Sequence, residues 1–70
     1  MSNLKSFILN GHEYCTEHEF TIFELINYFN YNTSLLVLEY NNLICDKENW
    51  NKIILKNNDR IELITIVGGG

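Results

Sequence analysis

The stretch "KSFILNGHEYCT", Lys5–Thr16, decides the fold. An apolar run, Phe7-Ile8-Leu9, leads straight into Asn10-Gly11. Asn-Gly is the strongest short-range signal for a β-hairpin, because a type I′ turn needs positive φ at both of its central residues. The expected hairpin has arms at Lys5–Leu9 and His12–Cys15, with the turn at Asn10-Gly11.

Downstream, "TIFE" signals a helix start: Thr21 is an N-cap residue, and Glu24 three places later completes a capping box. Ile22, Leu25, Ile26 and Phe29 recur at helical spacing and form one apolar stripe. The helix is expected from Ile22 to Tyr28 or Phe29, ending in "NYNTS", where Asn and Ser compete with helical hydrogen bonds. A helix this short is not stable alone and must lie on a sheet. "LLVLEYNNLIC" then reads as a third strand at Leu35–Tyr40, a turn at Asn41-Asn42 and a short fourth strand at Leu43–Cys45. "DKENWNK" reads as a helical turn whose Trp50 covers an edge of the core, and Ile53–Leu55 as a brief extended segment. "KNND" is a turn, and "RIELITIV" is the last strand. On it, Ile61 and Leu63 point to one face and Glu62, Ile64 and Ile66 to the other.

A hairpin, then a helix crossing one face, then strands returning to the same sheet give an α+β chain. Right-handed crossover places the final strand parallel to the first, in the centre. The expected topology is the ubiquitin-like β-grasp: a mixed sheet of four to five strands, one helix across one face, and a flexible C-terminal glycine tail. The corresponding division is a domain over residues 1–67 and a tail over residues 68–70.

Composition narrows the function. Seventy residues make one domain. Five Lys and Arg against nine Asp and Glu leave a net charge of −4, which argues against nucleic acid and makes any charged partner surface basic. The longest purely apolar run, Leu35–Leu38, is far short of the roughly 20 residues of a membrane span. The apolar stretch near the N-terminus is too short for a secretion signal. Cys15 and Cys45 form no CxxC or Cys/His cluster, and read as reduced cysteines used as small apolar residues. His12 and His18 have no partner at metal-ligand spacing and read as surface residues. No Ser/His/Asp set, phosphate-cradling glycine loop or HExxH is present. Glu13, Glu17 and Glu19 read as a solvated face. The abundance of Asn, Ile and Lys, with Pro and Ala absent, reads as the coding bias of an A+T-rich genome.

Two features of the end of the chain remain. Ile64 and Ile66 lie on the sheet face that the helix does not cover, beside Leu35 and Val37 of strand three. Together they form a candidate docking patch. Beyond them stand Gly68, Gly69 and Gly70, three of the four glycines in the chain. Glycine adds no packing and costs conformational entropy, but bare backbone can approach another surface closely. Three extended residues reach about 10 Å. The group at the end of that reach is the Gly70 carboxylate, which such a tail can carry through a narrow channel into another protein's active site.

"VLEYNNLICDKENW" followed by "DRIELITIVGGG" resembles the sulfur carrier protein family of thiamine biosynthesis. The resemblance covers the Asn-Gly hairpin, the helix stripe, the Glu39-x-Asn41 turn, Trp50, and "D-x-I-E" running into the terminal glycines. Asn42 stands where the family turn often has Gly or a charged residue, and the two cysteines are not family hallmarks. The resemblance implies a carrier with no catalysis and no bound cofactor of its own. An E1-like adenylating enzyme would use ATP to convert the Gly70 carboxylate to an acyl-adenylate. Sulfur from a cysteine-derived persulfide donor would displace AMP and leave a thiocarboxylate. Thiazole synthase would then accept the sulfur. Gly70 would carry the reacting group, with Gly68 and Gly69 giving clearance. The small subunit of molybdopterin synthase and a ubiquitin-like protein modifier share the activation step and stay open as alternatives. The expected compartment is a bacterial cytoplasm or an algal plastid stroma.

Overall fold

The computed structural model describes residues 3–65. Along the chain run β1 (Lys5–Leu9), β2 (His12–Thr16), α1 (Ile22–Tyr28), β3 (Leu36–Tyr40), β4 (Leu43–Cys45) and β5 (Asp59–Thr65). Short 3-10 turns lie at Thr33–Leu35 and Lys47–Asn49. The five strands form one sheet in the order β2-β1-β5-β3-β4. β5 is parallel to β1, with Phe7 beside Asp59 and Leu9 beside Ile61. On its other flank β5 is antiparallel to β3. The last strand thus fills the centre of the sheet, which is the β-grasp topology.

Both hairpin turns follow from their dipeptides. Asn10 and Gly11 have φ of 50° and 81°, and Asn41 and Asn42 have φ of 52° and 73°. Positive φ at both central residues is the type I′ condition, and its twist matches that of the flanking strands. α1 starts at the expected capping box: the Thr21 hydroxyl accepts from the Glu24 amide at 3.1 Å, and the Glu24 carboxylate accepts from the Thr21 amide at 2.8 Å. It ends because Asn30 turns left-handed, with φ 62°. The Asn30 amide then donates to the Asn27 carbonyl and the Tyr31 amide to the Ile26 carbonyl, a Schellman stop.

The core lies between α1 and one face of the sheet. Phe7 and Leu9 of β1, Ile22, Leu25 and Ile26 of α1, Leu38 of β3 and Ile61 of β5 are all buried. Each such side chain contributes roughly 1.5–3 kcal/mol relative to exposure. Two further core residues come from the long β4–β5 connection, Trp50 and Leu55, and the first corrects the sequence reading. Trp50 does not cover an edge of the core. It is 1 % exposed, and its indole N–H donates to the Cys45 carbonyl at 3.0 Å. Ile53–Leu55 is the expected brief extended segment, in which Ile54 makes an antiparallel bridge with Thr21. The Ile53 carbonyl accepts from the Ile22 amide at 2.9 Å and the Leu55 amide donates to the Phe20 carbonyl at 2.8 Å, which fastens the segment to the start of α1.

A second correction concerns Leu35, expected on the outward face of strand three. It belongs to the 3-10 turn before β3. The cause is local: the Asn32 side-chain oxygen accepts from the Ser34 amide at 3.1 Å and the Ser34 hydroxyl at 2.7 Å, curling the chain until Leu36.

Candidate functional site

The site is built on β5, whose far end leads to residues 66–70. Those five residues, with Ile66, Gly68, Gly69 and Gly70 of the expected site among them, lie outside the described residues. What is described is the strand that carries them and the surface beside it.

β5 begins at a buried carboxylate. Asp59 is 6 % exposed. Its Oδ2 accepts from the Tyr40 hydroxyl and from the Lys56 amide, both at 2.7 Å, and its Oδ1 accepts from the Asn41 side-chain amide at 3.1 Å. Three donors satisfy the charge, as a buried carboxylate requires. Burial, and then the hydrogen bond and charge of Asp59, push the Tyr40 phenol above its ordinary range. Sequence reasoning did not assign Asp59 this role, although the residue lies within the "D-x-I-E" motif.

Two asparagines then hold β5 from opposite sides. On the β3 side, the Asn41 amide donates to the Arg60 carbonyl and the Asn41 side-chain oxygen accepts from the Arg60 amide, each at 2.8 Å. On the β1 side, the Asn10 amide donates to the Ile61 carbonyl at 3.0 Å and its side-chain oxygen accepts from the Leu63 amide at 2.7 Å. The β1 ladder ends at Leu9, so the Asn10 side chain supplies the acceptor that a further strand residue would have given. Asn10 also donates to the Tyr31 hydroxyl at 3.4 Å, linking the end of the helix to the same point.

The face of the sheet away from α1 carries the docking candidates. Ile64 is 47 % exposed and stands directly opposite Val37 in the β3–β5 register. The structure therefore brings these two together. Leu35 is half-exposed in its 3-10 turn, one residue before Leu36, which pairs with Thr65. Next along the same face stand Glu39 and Glu62, also directly opposite each other. Like charges facing across a ladder are unfavourable and persist where solvent screens them. Ile44, in register with Glu39, is 71 % exposed. The outer face thus combines apolar Val37, Ile64 and Ile44 with two carboxylates. Glu62 was expected on this face but given no role, while Glu39 and Ile44 were missed in the sequence. Strand alternation combined with the register was the signal that held them.

The histidines are exposed, as expected. Both cysteines are free thiols, but only Cys45 packs partly against the core, whereas Cys15 is exposed with its sulfur 3.4 Å from the Ser6 hydroxyl. Burial, and then the charge of Asp46, raise the Cys45 thiol pKa. Among the described residues no group of three or more His, Cys, Asp or Glu could hold a metal ion, and no helix is long and apolar enough to cross a membrane.

The fold is that of a ubiquitin-like protein, and the family match makes it one of the sulfur-carrier type. The chain belongs to the ThiS family, whose family model matches residues 7–70. It is 57 % identical over 70 residues to the uncharacterized protein ycf40 of Trieres chinensis, covering all of this chain and 96 % of that one. It is 28 % identical over 65 residues to the uncharacterized protein ycf40 of Porphyra purpurea, covering 93 % and 92 % of the two chains. Among solved structures it is similar to a thiamine biosynthesis protein (ThiS) of Geobacter metallireducens. The TM-score is 0.79 at 19 % identity, over 93 % of this chain and 99 % of that one, a likeness of fold.

Proposed function

We propose that this chain is the sulfur carrier for thiazole formation in thiamine biosynthesis, acting through the carboxylate of Gly70. The observation that carries the reading is the span of the family match, which runs through the terminal glycines. It is supported by the central, doubly clamped strand from which they continue, and by the fold shared with a protein whose name places it in thiamine biosynthesis.

A carboxylate is a poor electrophile. An E1-like partner overcomes this with ATP: a Gly70 carboxylate oxygen attacks the α-phosphorus, pyrophosphate leaves, and an acyl-adenylate forms. The terminal sulfur of a persulfide attacks the acyl carbon and AMP leaves. A thiol then cleaves the S–S bond, releasing the C-terminal thiocarboxylate. Thiazole synthase takes the sulfur while the tail occupies its site, with Gly68 and Gly69 leaving the channel clear of side chains. Apart from the Gly70 carboxylate, the protein contributes no acid, base or nucleophile. Its role is to hold the carrier strand and to present Ile64 and Val37, with Ile66 and Leu35 alongside, to basic-apolar partner surfaces. The compartment is the plastid stroma, in keeping with the algal sources of its relatives.

Intact mass spectrometry after incubation with ATP, the activating enzyme and a persulfide source tests this. Replacement of one oxygen by sulfur at the C-terminus is expected, and no replacement in a chain lacking Gly69 and Gly70. An unmodified mass with enzyme and ATP present would refute the chemistry. Modification without thiazole formation on adding thiazole synthase would refute the pathway.

A further inference from the structure

A second surface lies two strands away from the tail-bearing strand. Between β2 and α1 runs an open apolar groove of about 630 Å³. That volume is in the range of sites that take small molecules or a few side chains. Phe7 and Leu25 are buried residues that line it, and Tyr14, Phe20, Tyr28 and Phe29 complete its aromatic lining. The rings brace one another: Tyr14 stacks on Phe7 at 5.6 Å and meets Phe29 edge-on at 5.2 Å, while Tyr28 contacts Phe29 at 5.4 Å and Phe20 at 5.6 Å. Tyr28 is nevertheless 69 % exposed and Tyr14 36 %. Rings this large at the surface are anchors when a partner covers them.

β2, which flanks the groove, is an edge strand. In an antiparallel pair closed by a two-residue turn, the residues flanking the turn exchange both hydrogen bonds, and bonded pairs alternate from there. Leu9 and His12 flank the turn, so His12, Tyr14 and Thr16 are turned to β1. The main-chain groups of Glu13 and Cys15 are left for an incoming strand. Tyr14 pairs with buried Phe7, so its ring is on the groove side. The open edge and the groove are therefore adjacent, as strand addition requires: main-chain bonds supply affinity, and a pocket for alternate side chains supplies selectivity.

Charge selects the occupant. Glu13, Glu17 and Glu19 follow the edge and the loop beyond it, all exposed, and carry no hydrogen bond or ion pair among the described residues. The cation nearby in sequence is Lys5, which donates to the His18 carbonyl at 3.4 Å. The chain as a whole has a charge of −4.

We propose that the β2 edge and the β2–α1 groove bind an extended peptide segment of a partner protein, with apolar side chains at alternate positions and Lys or Arg flanking them. The peptide adds to β2 as a sixth strand, seats its apolar side chains against Tyr14, Phe20, Tyr28 and Phe29, and places its cations near the three glutamates. This interface is separate from the Ile64 and Val37 face and does not depend on the sulfur-carrier reading.

The test is titration of the ¹⁵N-labelled full chain with a synthetic peptide of alternating valine and threonine flanked by two lysines at each end. One control peptide carries a central proline, which removes a ladder donor, and another carries glutamates in place of the lysines. Shifts are expected at the amides of Glu13 and Cys15 and around Tyr28, with binding lost for the proline peptide and weakened for the acidic one. Tyr28→Ala, a change at an exposed position, is expected to weaken binding about tenfold, whereas Ile64→Lys leaves it unchanged. Absence of binding, shifts centred on β4 or on Ile64, or equal binding of all three peptides would overturn the proposal. So would concentration-dependent shifts at the groove without peptide, which would assign the edge to a second copy. Loss of groove shifts on removing residues 66–70 would assign it to the chain's own end.

Discussion

The two hairpin turns do the same job with unequal support. Asn10 and Asn41 both adopt left-handed backbone, donate a main-chain N–H to a β5 carbonyl and accept a β5 amide on the side-chain oxygen. Asn41 acts beside buried Asp59, within a network that also ties Tyr40 and Lys56. Asn10 acts alone on the β1 side, at Ile61 and Leu63, with one 3.4 Å contact to Tyr31 behind it. The comparison shows how a strand can be fixed firmly where it begins and more lightly a few residues further on. The firm hold uses a desolvated charge, and the light one a single neutral acceptor.

The largest test of this contrast removes the charge. Asp59→Ala leaves three donors without their acceptor and is expected to cost about 3 kcal/mol in urea unfolding. Asn41→Gly keeps the positive φ but deletes two hydrogen bonds, for an expected loss of about 2 kcal/mol, while Asn10→Gly loses about 1 kcal/mol. Equal losses at the two turns would erase the asymmetry. Amide exchange at Leu63 is expected to accelerate in Asn10→Gly and to stay slow in Asn10→Asp, which keeps the acceptor.

A pH titration sharpens the same point. The Tyr40 pKa is raised in the folded state above its usual value of 10.0, so the phenol binds its proton more tightly folded than unfolded. Its contribution is complete below pH 10 and is lost as pH rises further. The Cys45 thiol, raised from 9.0, acts with the same sign and earlier onset. Stability should therefore decline above pH 9, with the part beyond pH 10 diminished in Tyr40→Phe. The smallest stability effect is expected at Ile64→Lys, within about 0.5 kcal/mol. The same variant should lower kcat/KM for adenylation about tenfold, since the side chain lies on the open face and not in the core. Unchanged adenylation would remove Ile64 from the docking surface.

What was legible in the sequence was local. The hairpin at Asn10-Gly11, the capping box of Thr21 and Glu24 and the fourth strand at Leu43–Cys45 each sit within a few residues of their cause. The central position of β5 followed from crossover handedness alone. What stayed hidden was long-range. Nothing near Trp50 announces that the core will close over it. Asp59 looked like a turn residue because its partners Tyr40 and Asn41 are 19 and 18 positions away. The abundant asparagines, read as coding bias, have a structural use: every non-glycine residue with positive φ among those described is an Asn, at positions 10, 30, 41, 42 and 58. Asn tolerates that conformation better than other side chains. In the site itself, alternation found Ile64 and Val37, but only the register revealed Glu39 facing Glu62.

The parallel pairing of β1 with β5 also governs when the protein can exist as a folded object. During synthesis the two hairpins emerge first, and no strand yet joins them, because the one that lies between them is made after all the others. The nascent chain therefore stays unassembled until residues 59–65 clear the ribosome, and closing the sheet requires contacts between distant parts of the chain, which slows folding. A ribosome that stalls before that strand releases a product with no completed sheet. A partner that reads the surface of the sheet would thus meet only chains in which β5 has been made.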